Sequence, residues 1–377
     1  MNTVSIVKCA SYDPAEVGPA VRRAVDMLGG MAEIVRPGQT VLLKPNLLSA
    51  HPPEKRVTTD PAVVEAVGAL VKEAGGRLMI GDSPALDSFG RVALKTGMAE
   101  AARRLGARLV ALSDPVRVAQ PPDARFKNLE IASQIAEAEV VINLPKLKTH
   151  CQALLTLGVK NLFGAVVAQR KAEWHHMVGG DRETFASLLL DLYLAIRPAL
   201  TVLDGVWGME GHGPTNGKPR RFDLLAASRD ALAMDVGLCG LMGVPLKRFP
   251  LCRAADARGL AAANLAGITC VGDDRAAFSF ADLQLPELDA MEFLPPLLRG
   301  LTQRYLVSKP VQDEKACAAC GQCVKICPAG CIALVRNKLK FDYERCIRCY
   351  CCQEVCEQDA IRFKKGLLLR VLNRLGR

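Results

Sequence analysis

Ten of the chain's 15 cysteines lie between Cys317 and Cys356, and eight of these recur at a fixed spacing. Cys317, Cys320, Cys323 and Cys327 reappear as Cys346, Cys349, Cys352 and Cys356, an offset of 29 residues. Each run is C-x2-C-x2-C-x3-C, and Ile332 and Ile361 keep the same register. A half of this length buries no core of its own, so the two halves must fold as one unit around something other than apolar side chains. The first 316 residues hold only five cysteines. The N-terminus MNTVSIVKCASYDPAEV has no basic stretch leading into an apolar one, so no secretory signal is expected. No uncharged apolar run reaches the ~18 residues of a membrane span. This is the cysteine usage of a reduced compartment, with thiolates as metal ligands, and a cytoplasmic location is expected.

The runs CAACGQCVKICP and CIRCYCCQEVCE resemble the bacterial two-cluster ferredoxin over about 50 residues. That resemblance implies two [4Fe-4S] clusters. Cluster one would take Cys317, Cys320, Cys323 and Cys356; cluster two would take Cys346, Cys349, Cys352 and Cys327. Three thiolates come from a tight loop and the fourth reaches across from the other half. Ile326, Ile332, Val335, Ile347, Val355 and Ile361 are expected to form the dry shell that helps set the potential. C-x2-C pairs also bind zinc, but two consecutive full runs are far more specific than two pairs. Glu357 stands where the proline after the second fourth cysteine is expected. Cys331 and Cys351 are surplus to the pattern and read as packed thiols. There is no C-x3-C-x2-C run for radical chemistry on S-adenosylmethionine.

Up to about residue 290 the chain alternates apolar runs with helical patterns. Strands are expected at Val4–Cys9, Thr40–Asn46, Arg77–Ser83, Ala107–Leu112, Glu139–Leu147, Leu200–Val206, Phe222–Ala227 and Gly267–Val271. Helices are expected at Ala15–Leu28, Pro61–Ala74, Arg91–Leu105, Glu183–Ile196 and Ala231–Met242. Near-continuous Val, Ile and Leu runs mark strands buried on both faces. The fold class is therefore α/β, a largely parallel sheet flanked by helices, plus a small α+β two-cluster module. The expected boundaries are 1–292 for the α/β domain, 293–312 for a connector, 313–363 for the cysteine module and 364–377 for a basic amphipathic tail. Half of the formal net charge of +10 sits in that tail, on Lys364, Lys365, Arg370, Arg374 and Arg377. Docking of the tail on the protein is favoured over peripheral membrane contact.

Two segments of the α/β domain carry chemistry. In TVLLKPNLL, Lys44 and Asn46 close a buried strand; in VVINLPKLKTH, Lys146, Lys148 and His150 alternate on one face of an extended segment. Lys160 and Asn161 follow in GVKNLFG. Open α/β sheets bind ligands beyond the carboxyl ends of their strands, and lysines there attract a carboxylate or phosphate. Arg170, Lys171, His175 and His176 would add to such a site or cover it. Asp82 reads as a helix cap. Asp204, Glu210 and His212 read as part of a Gly-rich turn, with a hard-metal site as the alternative. No nicotinamide, ATP or flavin motif is present.

KPNLLS, TTDPAVVEA, IGDSP, INLPKLKTH, GVKNLFG, LDGVWGMEGHGP and SRDALAMDVG, in that order, resemble the domain-of-unknown-function 362 family over most of residues 3–280. The resemblance implies iron–sulfur binding and a site lined by Lys44, Asn46, Lys146, Lys148, His150, Lys160 and Asn161; it supplies no reaction. The function expected is a reductase. Low-potential electrons would enter from a partner protein and pass to a small anionic substrate, with the lysines binding the anion and His150 donating a proton. A non-enzymatic electron carrier or adaptor is the alternative. A metal-dependent isomerase or hydrolase using Asp204, Glu210 and a histidine, with the clusters structural, is the third. No nucleic-acid partner is expected.

Overall fold

The structure is a computed structural model that describes residues 2–286 and 308–364. The tail expected over 364–377 lies outside the described residues except for Lys364, as does the connector except for residues 308–312. The described chain divides into two compact units. One holds residues up to Lys171 and from Arg182 to Leu285; the other holds Ala172–Asp181 and the cysteine module.

In the first unit the strands, in chain order, are β1 (Thr3–Lys8), β2 (Thr40–Pro45), β3 (Arg77–Asp82), β4 (Arg108–Ala111), β5 (Pro115–Arg117), β6 (Glu130–Ala132), β7 (Val140–Leu144), β8 (Lys146–His150), β9 (Leu154–Thr156), β10 (Leu200–Glu210), β11 (Lys218–Ser228) and β12 (Thr269–Gly272). A ten-stranded sheet runs β12-β1-β11-β10-β7-β2-β3-β4, with β8 paired to β10 and β9 to β8. Its β10-β7-β2-β3-β4 side is parallel throughout, and β11 runs antiparallel to both β1 and β10. This is the expected α/β architecture. Val41, Leu42 and Leu43 of β2 and Ile142 and Leu144 of β7 are fully buried, as central strands require. Helices Pro14–Asp26 and Pro61–Glu73 each begin at an aspartate cap, Asp13 and Asp60, followed by proline in the first turn.

Two elements differ from expectation. The helix expected over Arg91–Leu105 is two, Phe89–Lys95 and Met98–Leu105, because Gly97 turns left-handed at φ 78°. The strand expected over Glu139–Leu147 breaks at Pro145, which has no N–H for the ladder. Beyond the break, β8 re-pairs with β10, Lys146 facing Asp204.

The cysteine module has strands β13 (Lys309–Gln312), β14 (Ile332–Val335), β15 (Lys338–Phe341) and β16 (Ile361–Lys364), with short helices Gln322–Ile326 and Cys351–Glu354. β13 pairs antiparallel with β16, and β14 with β15. The first strand of each half thus pairs with a last strand, β13 crossing to the far half. Residues 309–312, expected as connector, are the counterpart of 338–341 at the same 29-residue offset. The repeat reaches the backbone. Ala319 and Arg348, Gly321 and Tyr350, and Gly330 and Asp359 all have positive φ. Ile332 and Ile361 are buried, whereas Val335, expected in the dry shell, is 41% exposed at the strand end.

Candidate functional sites

Lys44 sits at the carboxyl end of β2, and Lys146 and Lys148 lie on β8, the segment that follows the carboxyl end of the neighbouring strand β7. All three are no more than 1% exposed. An ammonium removed from water this completely costs several kcal/mol unless it is paired, and each meets an internal acceptor. Lys44 Nζ lies 2.9 Å from Asp82 Oδ1. Asp82 also accepts from the backbone N–H of Leu47 at 2.7 Å and of Ser83 at 2.9 Å. Lys146 Nζ donates to Asp204 Oδ2 and to the Tyr12 hydroxyl, both at 2.7 Å. Lys148 Nζ donates to Val57 O at 2.6 Å and Asn46 Oδ1 at 2.8 Å, tying down the loop that follows β2. These ammonium groups face internal acceptors, not the open cationic pocket expected from sequence.

Asn161 continues the network, donating to Asn143 Oδ1 at 2.8 Å and Lys44 O at 3.3 Å. The segment carrying it is held by Asp235, which accepts from Gly158 N at 2.7 Å and Val159 N at 3.0 Å. Burial pushes the Asp235 carboxyl up to about 8, against the pull of those two N–H groups. Lys160 Nζ instead lies over the rings of Phe163 and Phe185, at 5.9 and 5.7 Å. Lys171 donates to Ser83 O at 2.6 Å and to Val166 O. Burial pushes its ammonium down to about 7; Asp82 opposes this, while Lys44 and Lys160 push the same way. His150 is buried, and its Nδ1 accepts from Gln152 N at 3.0 Å and Ala153 N at 3.1 Å. That geometry leaves a neutral ring's proton on Nε2.

Sequence reasoning missed a second group around Asp204. Tyr12 donates to Asp204 Oδ1 at 2.8 Å while accepting from Lys146, and Asp60 N donates to Asp204 Oδ2 at 2.8 Å. Burial, then the Asp204 charge, pushes the Asp60 carboxyl up to about 6 and the Tyr12 phenol well above its ordinary range. Burial pushes the Lys146 ammonium down, and Asp204 pulls it back. Arg56 covers this group, its guanidinium 5.2 Å from the ring centres of both Tyr12 and Trp207. The Tyr12 phenol, the Lys146 amine and the Asp204 carboxylate are thus in direct contact, with the Asp60 carboxyl close enough to feel the Asp204 charge. The signal for Asp82 and Asp204 was present: buried lysines need counter-charges, and IGDSP and LDGVW place an aspartate on β3 beside β2 and on β10 beside β8. Glu210 is engaged elsewhere, with Arg220 at 2.8 Å and Gln284 N at 3.1 Å, so it shares no site with Asp204.

In the cysteine module, Cys327, Cys346, Cys349 and Cys352 line one concave space, together with Cys331, Ile332, Ile347, Tyr350 and Phe363. Burial first, then Cys349, Cys346, Cys327 and Cys323, push the Cys352 thiol up. Cys323 is raised to about 11 by burial and then by Cys356, Cys320 and Cys317. Thiols crowded in this way resist ionisation until a cationic centre compensates them, which is what an iron–sulfur core supplies. Backbone N–H groups point at the sulfurs, Cys331 N to Cys327 Sγ at 3.4 Å and Ala360 N to Cys356 Sγ at 3.2 Å. The residues fit iron–sulfur clusters.

Comparison with known proteins agrees with this division. Residues 41–239 match the family described as domain of unknown function (DUF362), and residues 309–357 match the 4Fe-4S dicluster domain. The thylakoid-associated protein sll1697 of Synechocystis sp. is 40% identical over 260 residues, 69% of this chain and 80% of that protein. NADH-quinone oxidoreductase subunit I of Pelobacter propionicus is 32% identical over 75 residues, 16% of this chain and 40% of that one. Pyruvate synthase subunit PorD of Methanocaldococcus jannaschii is 31% identical over 65 residues, 17% of this chain and 76% of that one. Among solved structures, the lactate racemase apoprotein of Thermoanaerobacterium thermosaccharolyticum aligns with a TM-score of 0.41 at 11% identity, covering 64% of this chain and 57% of that one. The C-terminal module is an iron–sulfur, ferredoxin-like electron-transfer domain. The chain belongs to the domain-of-unknown-function 362 family, with a 4Fe-4S dicluster domain following in the same polypeptide.

Proposed function

We propose that the protein is an iron–sulfur reductase that accepts low-potential electrons from a partner protein and delivers them to a small anionic substrate at the α/β unit. In this reading Cys317, Cys320, Cys323 and Cys356 hold one [4Fe-4S] cluster, and Cys346, Cys349, Cys352 and Cys327 hold the second. The observation that carries it is the gathering of Cys327, Cys346, Cys349 and Cys352 around one space. When bound, each cluster supplies a one-electron couple, so two match a two-electron reduction without a flavin. In this reading Lys44, Lys160 and Lys171 supply positive potential for the anion. His150 would give the substrate its proton from Nε2, the nitrogen left to carry it by the two N–H groups at Nδ1. No nicotinamide, ATP or flavin takes part in this reading.

The second reading is a non-enzymatic carrier or adaptor for a partner protein. The internal pairing of Lys44, Lys146 and Lys148 favours it, since those charges are already compensated. Among the described residues no helix is long and apolar enough to cross a membrane. A cytoplasmic location belongs to this reading on the cysteine usage, thiolates serving as metal ligands. The relative's name, thylakoid-associated, makes peripheral membrane contact the alternative.

Anaerobically prepared protein screened by thermal shift against small carboxylates and phosphates separates the two. Stabilisation by one anion, lost in Lys160→Ala with iron content intact, supports the reductase. No stabilising anion, together with a co-purifying redox partner, supports the carrier.

A further inference from the structure

Cys331 falls outside both cysteine runs, yet it lines the same space as Cys327, Cys346, Cys349 and Cys352. It is 5% exposed, and its Sγ is 3.4 Å from Cys327 Sγ. It is also within hydrogen-bond reach of Cys346. Five thiols therefore share a space where four are required. The repeat isolates this feature, because the position equivalent to Cys331 in the other half is Ala360, 29 residues on. The surroundings are otherwise matched. Cys331 N and Ala360 N donate to the sulfurs of Cys327 and Cys356 respectively, and both residues are buried.

We propose that Cys331 is a reserve ligand for the second cluster, able to take the fourth coordination position when Cys327 does not. This rests on the two-cluster reading above. In such an exchange the bond between iron and Cys327 sulfur would break and that thiolate would take up a proton, while the Cys331 thiol would give up a proton and its thiolate would form the iron–sulfur bond; the ligand charge stays the same and no electron moves. Cluster one, with alanine at the matching position, has no such reserve.

The test is iron and acid-labile sulfide per chain in anaerobically purified full-length variants, with electron paramagnetic resonance of the reduced protein. Cys327→Ala keeps the wild-type iron count, while Cys356→Ala and Cys327→Ala/Cys331→Ala each lose about half of it. Equal loss in Cys327→Ala and Cys356→Ala overturns the proposal. If Cys327→Ala does not accumulate, the pair Cys327→Ser and Cys327→Ser/Cys331→Ala replaces it. Retention only where Cys331 is present supports the reserve role; equal counts in the pair contradict it. A wild-type chain without iron and sulfide would instead overturn the two-cluster reading itself.

Discussion

Lys146 and Asp204 face each other in register on neighbouring parallel strands, and their side chains form a buried ion pair of 2.7 Å. The pair is closed by Tyr12, which bonds both partners, and by the backbone N–H of Asp60. Removing one partner leaves the other charge stranded in a dry site. Asp204→Ala should therefore destabilise the α/β unit by about 3–5 kcal/mol. The double variant Lys146→Met/Asp204→Leu should cost less than Asp204→Ala alone. Urea unfolding followed by tryptophan fluorescence checks this; costs that simply add would show that the two residues are not coupled.

Gly164 packs against the second pair. A Cβ at this position would overlap Asp82 Oδ1 and Lys44 Nζ. Gly164→Ala should cost about 1–3 kcal/mol by forcing the pair apart, whereas Gly18→Ala, with open space around it, should not destabilise. Equal melting temperatures for Gly164→Ala and the wild type would contradict the close approach.

Asp60 supplies a pH signature. Its carboxyl is raised from 3.8 to about 6, by burial first and then by Asp204. A raised carboxyl favours folding while it is protonated, so its contribution is full below about pH 4 and is lost as pH rises through 6. Asp60→Asn, which can still cap the helix at Ala62 N, should match the wild type near pH 4. Above pH 7 it should be more stable by about 2–3 kcal/mol. A variant less stable than the wild type at pH 8 would show that the carboxylate is needed as an anion beside Arg56 and Lys146.

How much of this was legible in the sequence depended on the range of the interaction involved. The cysteine spacing is local, and the runs from Cys317 and from Cys346 announce their module without tertiary information. The apolar runs around Val41 and Val140 likewise reveal parallel strands, because burial on both faces removes polar residues. The positions of Lys44, Lys146 and Lys148 were legible, but their partners were not. Whether a strand-end lysine faces solvent or an aspartate depends on which strands become neighbours, and β10 lies 58 residues beyond β8 at the Lys146–Asp204 contact. Tyr12 was invisible for the same reason, reaching Asp204 across 192 residues. The first repeat strand was missed because its marker is weak, only Lys309 and Asp313 matching Lys338 and Asp342.

The role of His150 can be tested once a stabilising anion is known. His150→Gln should retain the clusters and anion binding but lower the rate of substrate reduction by about 10²–10⁴-fold. An unchanged rate with intact iron would remove His150 from the chemistry.

Whether the C-terminal module holds two four-iron clusters is measured most directly by the metal and sulfide content of the anaerobically purified chain, together with its reduced electron paramagnetic resonance spectrum. About eight iron and eight labile sulfides per chain, with a signal that appears on reduction, is the predicted result. About two zinc ions per chain, no labile sulfide and no signal would contradict it.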